Sequence, residues 1–152
     1  MTTPGGTSMK RLALGLAAAG MSAVVLAGCG GGGNPYCDTV EKSTDTLNSF
    51  GKTKSNAAYT KYASTFRAIA KESPTTVKDD WTALAKATDT VLAAQKDVGL
   101  RLEQMTSAAA VKKLSTADLK KLNTAYKAFN ATNDQRTAVV KNVKQECKIT
   151  LT

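Results

Sequence analysis

From Tyr36 onward the chain places apolar residues three and four positions apart, which is the spacing of one face of an α-helix. Tyr36, Val40, Leu47 and Phe50 mark a first segment with a gap at Thr44, and Gly51 ends it. Tyr59, Tyr62, Phe66 and Ile69 form a second face that stops at Ser73-Pro74. The pattern predicts Ser73 as the N-cap of the next helix and Pro74 as its first residue. The seam of that helix is Val77, Trp81, Leu84, Thr88, Val91, Gln95 and Val98. Its register continues through Leu102, Met105 and Ala109, with Gly99 a candidate kink or break. Ser115 and Asp118 form a capping pair, and Leu114 and Leu119 a hydrophobic staple, at the start of a further helix. Leu119, Leu122, Tyr126, Phe129, Asn133, Arg136, Val140, Val143 and Cys147 then keep a 3/4 spacing. The polar members Asn133 and Arg136 predict either a less buried middle or a break near Asn133-Asp134. No period-two pattern competes and no internal repeat is evident. Abundant Ala, only three prolines and an aromatic content of 5% agree with an all-α domain.

The N-terminus follows a different logic. Lys10-Arg11 precede an apolar run, Leu12 to Leu26, which is too short for a membrane span of about 20 residues but suits a signal peptide. The run closes on Leu26-Ala27-Gly28-Cys29. This segment resembles the lipobox of bacterial lipoprotein precursors. The resemblance implies that residues 1–28 are a signal peptide cleaved between Gly28 and Cys29. It implies that Cys29 carries the covalent diacylglycerol and acyl (palmitate) lipid, and that the mature protein sits on the extracytoplasmic face of the cell membrane. With no Arg-Arg pair before the apolar run, the general secretory route is expected. Met9 is an alternative start to Met1. Residues 29–36, with Gly30 to Gly33, read as the lipidated cysteine and a flexible tether that spans at most roughly 25 Å.

Removal of the signal leaves 124 of the 152 residues, enough for one core. It also resolves the cysteine count. Of three cysteines, Cys29 goes to lipid, which leaves Cys37 and Cys147 at opposite ends of the domain. Outside the cytoplasm such a pair is most simply a disulfide. A thiol site is the rival reading, without a CxxC or a histidine to support it. The expected fold is an antiparallel up-down bundle of about four helices over residues 37–148, closed by this bridge.

Charge and candidate chemistry narrow the function. The net charge is +9, and loss of Lys10 and Arg11 leaves +7. The absence of histidine excludes His-based acid/base chemistry, His-containing triads and His metal ligands. Lys113, Lys120, Lys127, Lys141 and Lys148 fall on one heptad position, with Asp134 in the gap and Lys112, Lys121 and Lys144 nearby. They read either as a basic stripe for lipid headgroups or acidic envelope polymers, or as a solvated helix flank. No aromatics interleave with these lysines, so nucleic acid is not an expected partner. Asp38, Glu41 and Asp45 share a helix face, but read as surface charges favouring a helix N-terminus and not as a metal site. Asp79 and Asp80 are adjacent, so on a helix they point about 100° apart and do not pair for catalysis. Trp81, Tyr59, Tyr62, Phe66, Tyr126 and Phe129 read as core, with a ligand pocket as the alternative. The sequon Asn130-Ala131-Thr132 is treated as chance.

The layout as a whole is similar to small, uncharacterised actinobacterial helical lipoproteins: a glycine tether, a Cys near each end of the helical region, and an Ala-Lys-Glu-Ser-Pro turn at Ala70 to Pro74. That similarity implies a location and little about activity. The expectation is a non-catalytic, lipid-anchored interaction module whose partner is an envelope protein or an anionic polymer, with no cofactor beyond the lipid. A small-ligand carrier is the alternative. An enzyme comes third, and would need a deep pocket with converging carboxylates or a Ser-Lys pair.

Overall fold

The computed structural model of the chain describes residues 33–152. The signal peptide, its cleavage point, Cys29 and most of the glycine tether lie outside the described residues. The described chain is all-helical, with no strand in it.

Helix α1, Pro35–Lys42, starts where the Asn34 side chain accepts the Tyr36 N–H at 3.1 Å and Pro35 occupies the first turn. Ser43 separates it from α2, Thr44–Asn48. The Thr44 hydroxyl donates back to the Glu41 carbonyl at 2.9 Å, the local competition with helix bonds expected of threonine. Gly51, at φ 79°, turns the chain. Ser55 caps α3, Asn56–Glu72, by accepting the Ala58 N–H at 3.1 Å.

Helix α4 spans Thr75–Val98. Its start corrects the predicted cap. Pro74 holds the N-cap position without a side-chain bond, and the Ser73 hydroxyl donates to the Ile69 carbonyl of α3 at 2.7 Å. The serine therefore serves the end of one helix instead of the start of the next. Gly99 ends α4 in the left-handed region at φ 67°, and the Leu100 N–H closes onto the Gln95 carbonyl at 3.1 Å. The α4 register does not run on. Leu102 is buried in a short 3₁₀ turn, Leu102–Gln104, whereas Ala109 is exposed in α5, Ala108–Val111.

Helix α6, Thr116–Asn130, begins with the predicted Ser115–Asp118 capping box. Leu119 is 42% exposed, so the inward seam starts at Leu122 and not at Leu119. The helix stops because the Phe129 carbonyl takes the Thr132 hydroxyl at 2.7 Å and an Arg136 guanidinium N–H at 3.0 Å. Helix α7, Asn133–Asn142, resumes after Thr132 and runs into a π-turn, Val143–Cys147. Past the predicted Leu122, Phe129 and Val143, the inward row uses Ala125, Thr132 and Val139. Asn133 and Val140 of the predicted seam are exposed, and Tyr126 is half-buried.

Helix α4 carries the core. It packs against α3, α6 and α7, while α1 packs against α3 and the π-turn. Trp81, Tyr36, Tyr62, Phe66 and Ile69 are among the largest buried side chains. The Trp81 indole N–H donates to the Tyr36 hydroxyl at 3.3 Å, and that hydroxyl donates to Asn142 Oδ1 at 2.8 Å. This relay ties α1, α4 and α7 together. Beside it, Cys37 and Cys147 form a disulfide with a Cα–Cα distance of 5.2 Å and a sequence separation of 110. The last residues fold back: Ile149 and Leu151 pack on the core, and the Thr152 N–H reaches Asn48 Oδ1 at 2.8 Å.

Candidate functional site: a basic face and an aromatic cleft

Every lysine of the predicted stripe is exposed. Lys120 and Lys127 lie on α6 and Lys141 on α7. Lys113 falls in the turn between α5 and α6, and Lys148 follows the π-turn, where its ammonium donates to the Gln145 carbonyl at 2.7 Å. The stripe is thus spread over successive pieces and is not a single helix face. Among the described residues the ion pairs are Arg67–Asp89 and Arg101–Glu103, and neither involves these lysines.

The distribution of charge is more telling than the stripe. From Lys112 to the C-terminus nine cations meet only Asp118, Asp134 and Glu146, a net of +6. From residue 33 to 111 ten cations meet nine acids, a net of +1. Nearly all the excess charge therefore belongs to α6, α7 and their flanks, which cover one side of α4.

The other candidate clusters come apart. Asp38 and Glu41 lie on α1, but the break at Ser43 puts Asp45 on α2. Among the described residues no group of three potential ligands sits close enough to hold a metal ion, and no helix is long and apolar enough to cross a membrane.

The aromatic residues divide. Trp81, Tyr62 and Phe66 are buried in the core. Tyr59 and Phe129 are buried core members too, but with the half-buried Tyr126 they also line an open cleft of about 720 Å³, together with Leu102, Met105, Lys54, Glu103 and Arg136. Five segments build this cleft: the α2–α3 loop with Gly51 and Lys54, the start of α3, the chain just after Gly99, the end of α6, and α7. Asn56 holds the segment after Gly99 in place, its Oδ1 accepting the Leu102 N–H at 2.8 Å and its own N–H donating to Glu103 at 3.2 Å. Arg136 enters from α7 and lays its guanidinium 4.6 Å from the Phe129 ring centre and 5.1 Å from that of Phe50.

Burial raises the pKa of Tyr59 above the phenol value, with Arg136 opposing it, and raises that of Tyr126. Burial also lowers that of Arg136. Glu103 is lowered chiefly by a hydrogen bond from its own backbone N–H, with Arg101 assisting. Arg136 is the functional candidate that sequence reasoning passed over. Its one signal was a charge standing at a seam position. No family model, curated protein or solved structure matches the chain.

Proposed function

We propose that the protein is a non-catalytic, lipid-anchored module on the extracytoplasmic face of the cell membrane, whose basic α6–α7 side contacts an anionic envelope partner. The anchor is Cys29, at the end of an n-region, apolar run and lipobox in the expected order. The Cys37–Cys147 bridge supports export, because such bonds persist in oxidising compartments. The fold we propose is the up-down bundle. Asn56 meets Leu102 while Phe66 meets Trp81, which is the pairing of two antiparallel helices. Gln95 meets Tyr126 while Trp81 and Val140 line one cavity, which supports a course of α6 and α7 antiparallel to α4.

The observation that carries the contact is the charge asymmetry: +6 on the C-terminal side against +1 on the rest. Lysines without carboxylate partners are the form of charge that an anionic polymer or headgroup recognises. Two experiments test the reading. Mass spectrometry of the mature N-terminus is expected to find acylated Cys29; an unmodified N-terminus removes the anchor. Crosslinking pull-down from intact cells, with Lys113, Lys120, Lys127, Lys141 and Lys148 all replaced by Gln, is expected to lose nearly all partner recovery, since five lysines at about 1 kcal/mol each near an anionic surface are worth about a thousandfold or more in affinity. Unchanged recovery refutes the contact.

A further inference from the structure

We propose that the aromatic cleft is a binding site for a small amphipathic carboxylate, with Arg136 as its charge partner and Tyr59 and Tyr126 as hydrogen-bond donors. The proposal rests on donors that line one cavity and are left without acceptors of their own there. Arg136 spends one guanidinium N–H on the Phe129 carbonyl at 3.0 Å. Its Nε is buried and has no partner, and no carboxylate among the described residues pairs with the side chain. A cation drawn partly out of water without a counterion is costly, and a bound anion removes that cost.

The tyrosines point the same way. Tyr36 donates to Asn142 Oδ1 at 2.8 Å and Tyr62 to the Ser49 carbonyl at 2.6 Å. Tyr59 and Tyr126, the two that line the cleft, donate to nothing among the described residues. The Tyr126 oxygen accepts the amide of Gln95 at 2.8 Å, which leaves its own proton for an outside acceptor. Gln95 is only 1% exposed, so this amide is a fixed support.

The composition of the cleft names the ligand class. Arg136 and Lys54 are the cations of the lining and Glu103 its one carboxylate, an excess of one positive charge that suits a monoanion, and the planar fork of Arg136 suits a carboxylate. Leu102, Met105 and Phe129 supply apolar wall for a tail. A volume of about 720 Å³ lies within the range of small-molecule sites. Glu103, also in the lining, makes no ion pair with Arg136, and its carboxylate is held by Arg101 at 3.3 Å and by the Asn56 N–H at 3.2 Å. None of the five stripe lysines lines the cleft, so the site stands or falls independently of the envelope contact.

The test is calorimetric titration of the mature chain, residues 29–152 carrying Cys29→Ser and produced without the signal segment, so that neither lipid nor detergent competes, with decanoate, decanol and decylammonium as probes. Decanoate is expected to bind about tenfold tighter than decanol, the worth of one charge-assisted pair, and decylammonium weakest. Arg136→Met keeps the apolar stem and is expected to bring decanoate down to the decanol level while decanol itself changes little. The double variant Tyr59→Phe/Tyr126→Phe keeps both rings, so it reads the site even where the Arg136 variant misfolds by circular dichroism. It is expected to weaken decanoate by about tenfold, through the loss of two hydrogen bonds. Equal binding of decanoate and decanol, no saturable binding of decanoate, or full decanoate affinity in a folded Arg136→Met or double tyrosine variant overturns the proposal.

Discussion

At the scale of single residues, two buried polar side chains have opposite energetic characters. Tyr36 is fully satisfied: it accepts from Trp81 and donates to Asn142. Tyr36→Phe leaves a buried indole N–H and a half-buried amide oxygen without partners. It is expected to destabilise the protein by about 1–3 kcal/mol, the cost of an orphaned buried group, read from urea unfolding. Gln95 is only half satisfied, since its Oε1 is buried with no partner. Gln95→Leu removes that orphan and keeps the bulk. It is therefore expected to leave stability within about 1 kcal/mol of the parent, or to raise it. A loss of the size expected for Tyr36→Phe would mean that the amide oxygen has a partner of its own.

At the scale of elements, Gly99 is where the chain stops being one long helix. Its φ is 67°, and a Cβ built there meets nothing within 4 Å. The cost of Gly99→Ala is therefore backbone strain alone, about 1–2 kcal/mol, with no clash to relieve. The same substitution moves the Leu102–Met105 wall of the cleft if the chain prefers to continue the helix. Thermal unfolding alongside decanoate titration separates the two effects.

The seams of α3 and α4 were legible in the sequence because α4 is enclosed by three helices. Even Thr88 and Gln95 are buried at the predicted positions, and only Val98, beside the glycine, is half-buried. The seam of α6 and α7 was half legible. Leu122, Phe129, Arg136 and Val143 recur every seven residues, and two flanking rows fit that spacing equally well. The larger Tyr126 suggested the row that runs on to Val140, whereas the structure buries the row of Ala125, Thr132 and Val139, in which the small Ala125 lets α6 pack closely. The cleft was not legible. It depends on where the chain after Gly99 is pinned by Asn56, a contact between residues 46 apart.

At the scale of the whole molecule, stability depends on ionisation at the alkaline end and on one crosslink. With no histidine, no side chain of ordinary pKa titrates between about pH 6 and 8, so stability is expected to be flat there. Burial raises the phenols of Tyr36, Tyr59 and Tyr126, so the folded state holds their protons more tightly than the unfolded state does. Their contribution is fully present below the unfolded phenol value, about pH 10, and is lost as pH rises through the higher folded values. Urea midpoints are therefore expected to hold up to about pH 9 and to fall beyond about pH 10. The disulfide acts on the other side of the equilibrium. It spans 110 residues, so it restrains nearly the whole unfolded chain, and the chain-entropy model assigns it about 4–5 kcal/mol. In the folded state the Tyr36–Trp81–Asn142 relay already joins the helices that the bridge joins. Reduction is thus expected to leave far-UV circular dichroism unchanged in water while lowering the urea midpoint. Because the effect lies in the unfolded ensemble, which expands when the bridge is cut, the slope of free energy against urea is expected to steepen. A lower midpoint with an unchanged slope would instead place the loss in the native packing around α1 and the π-turn.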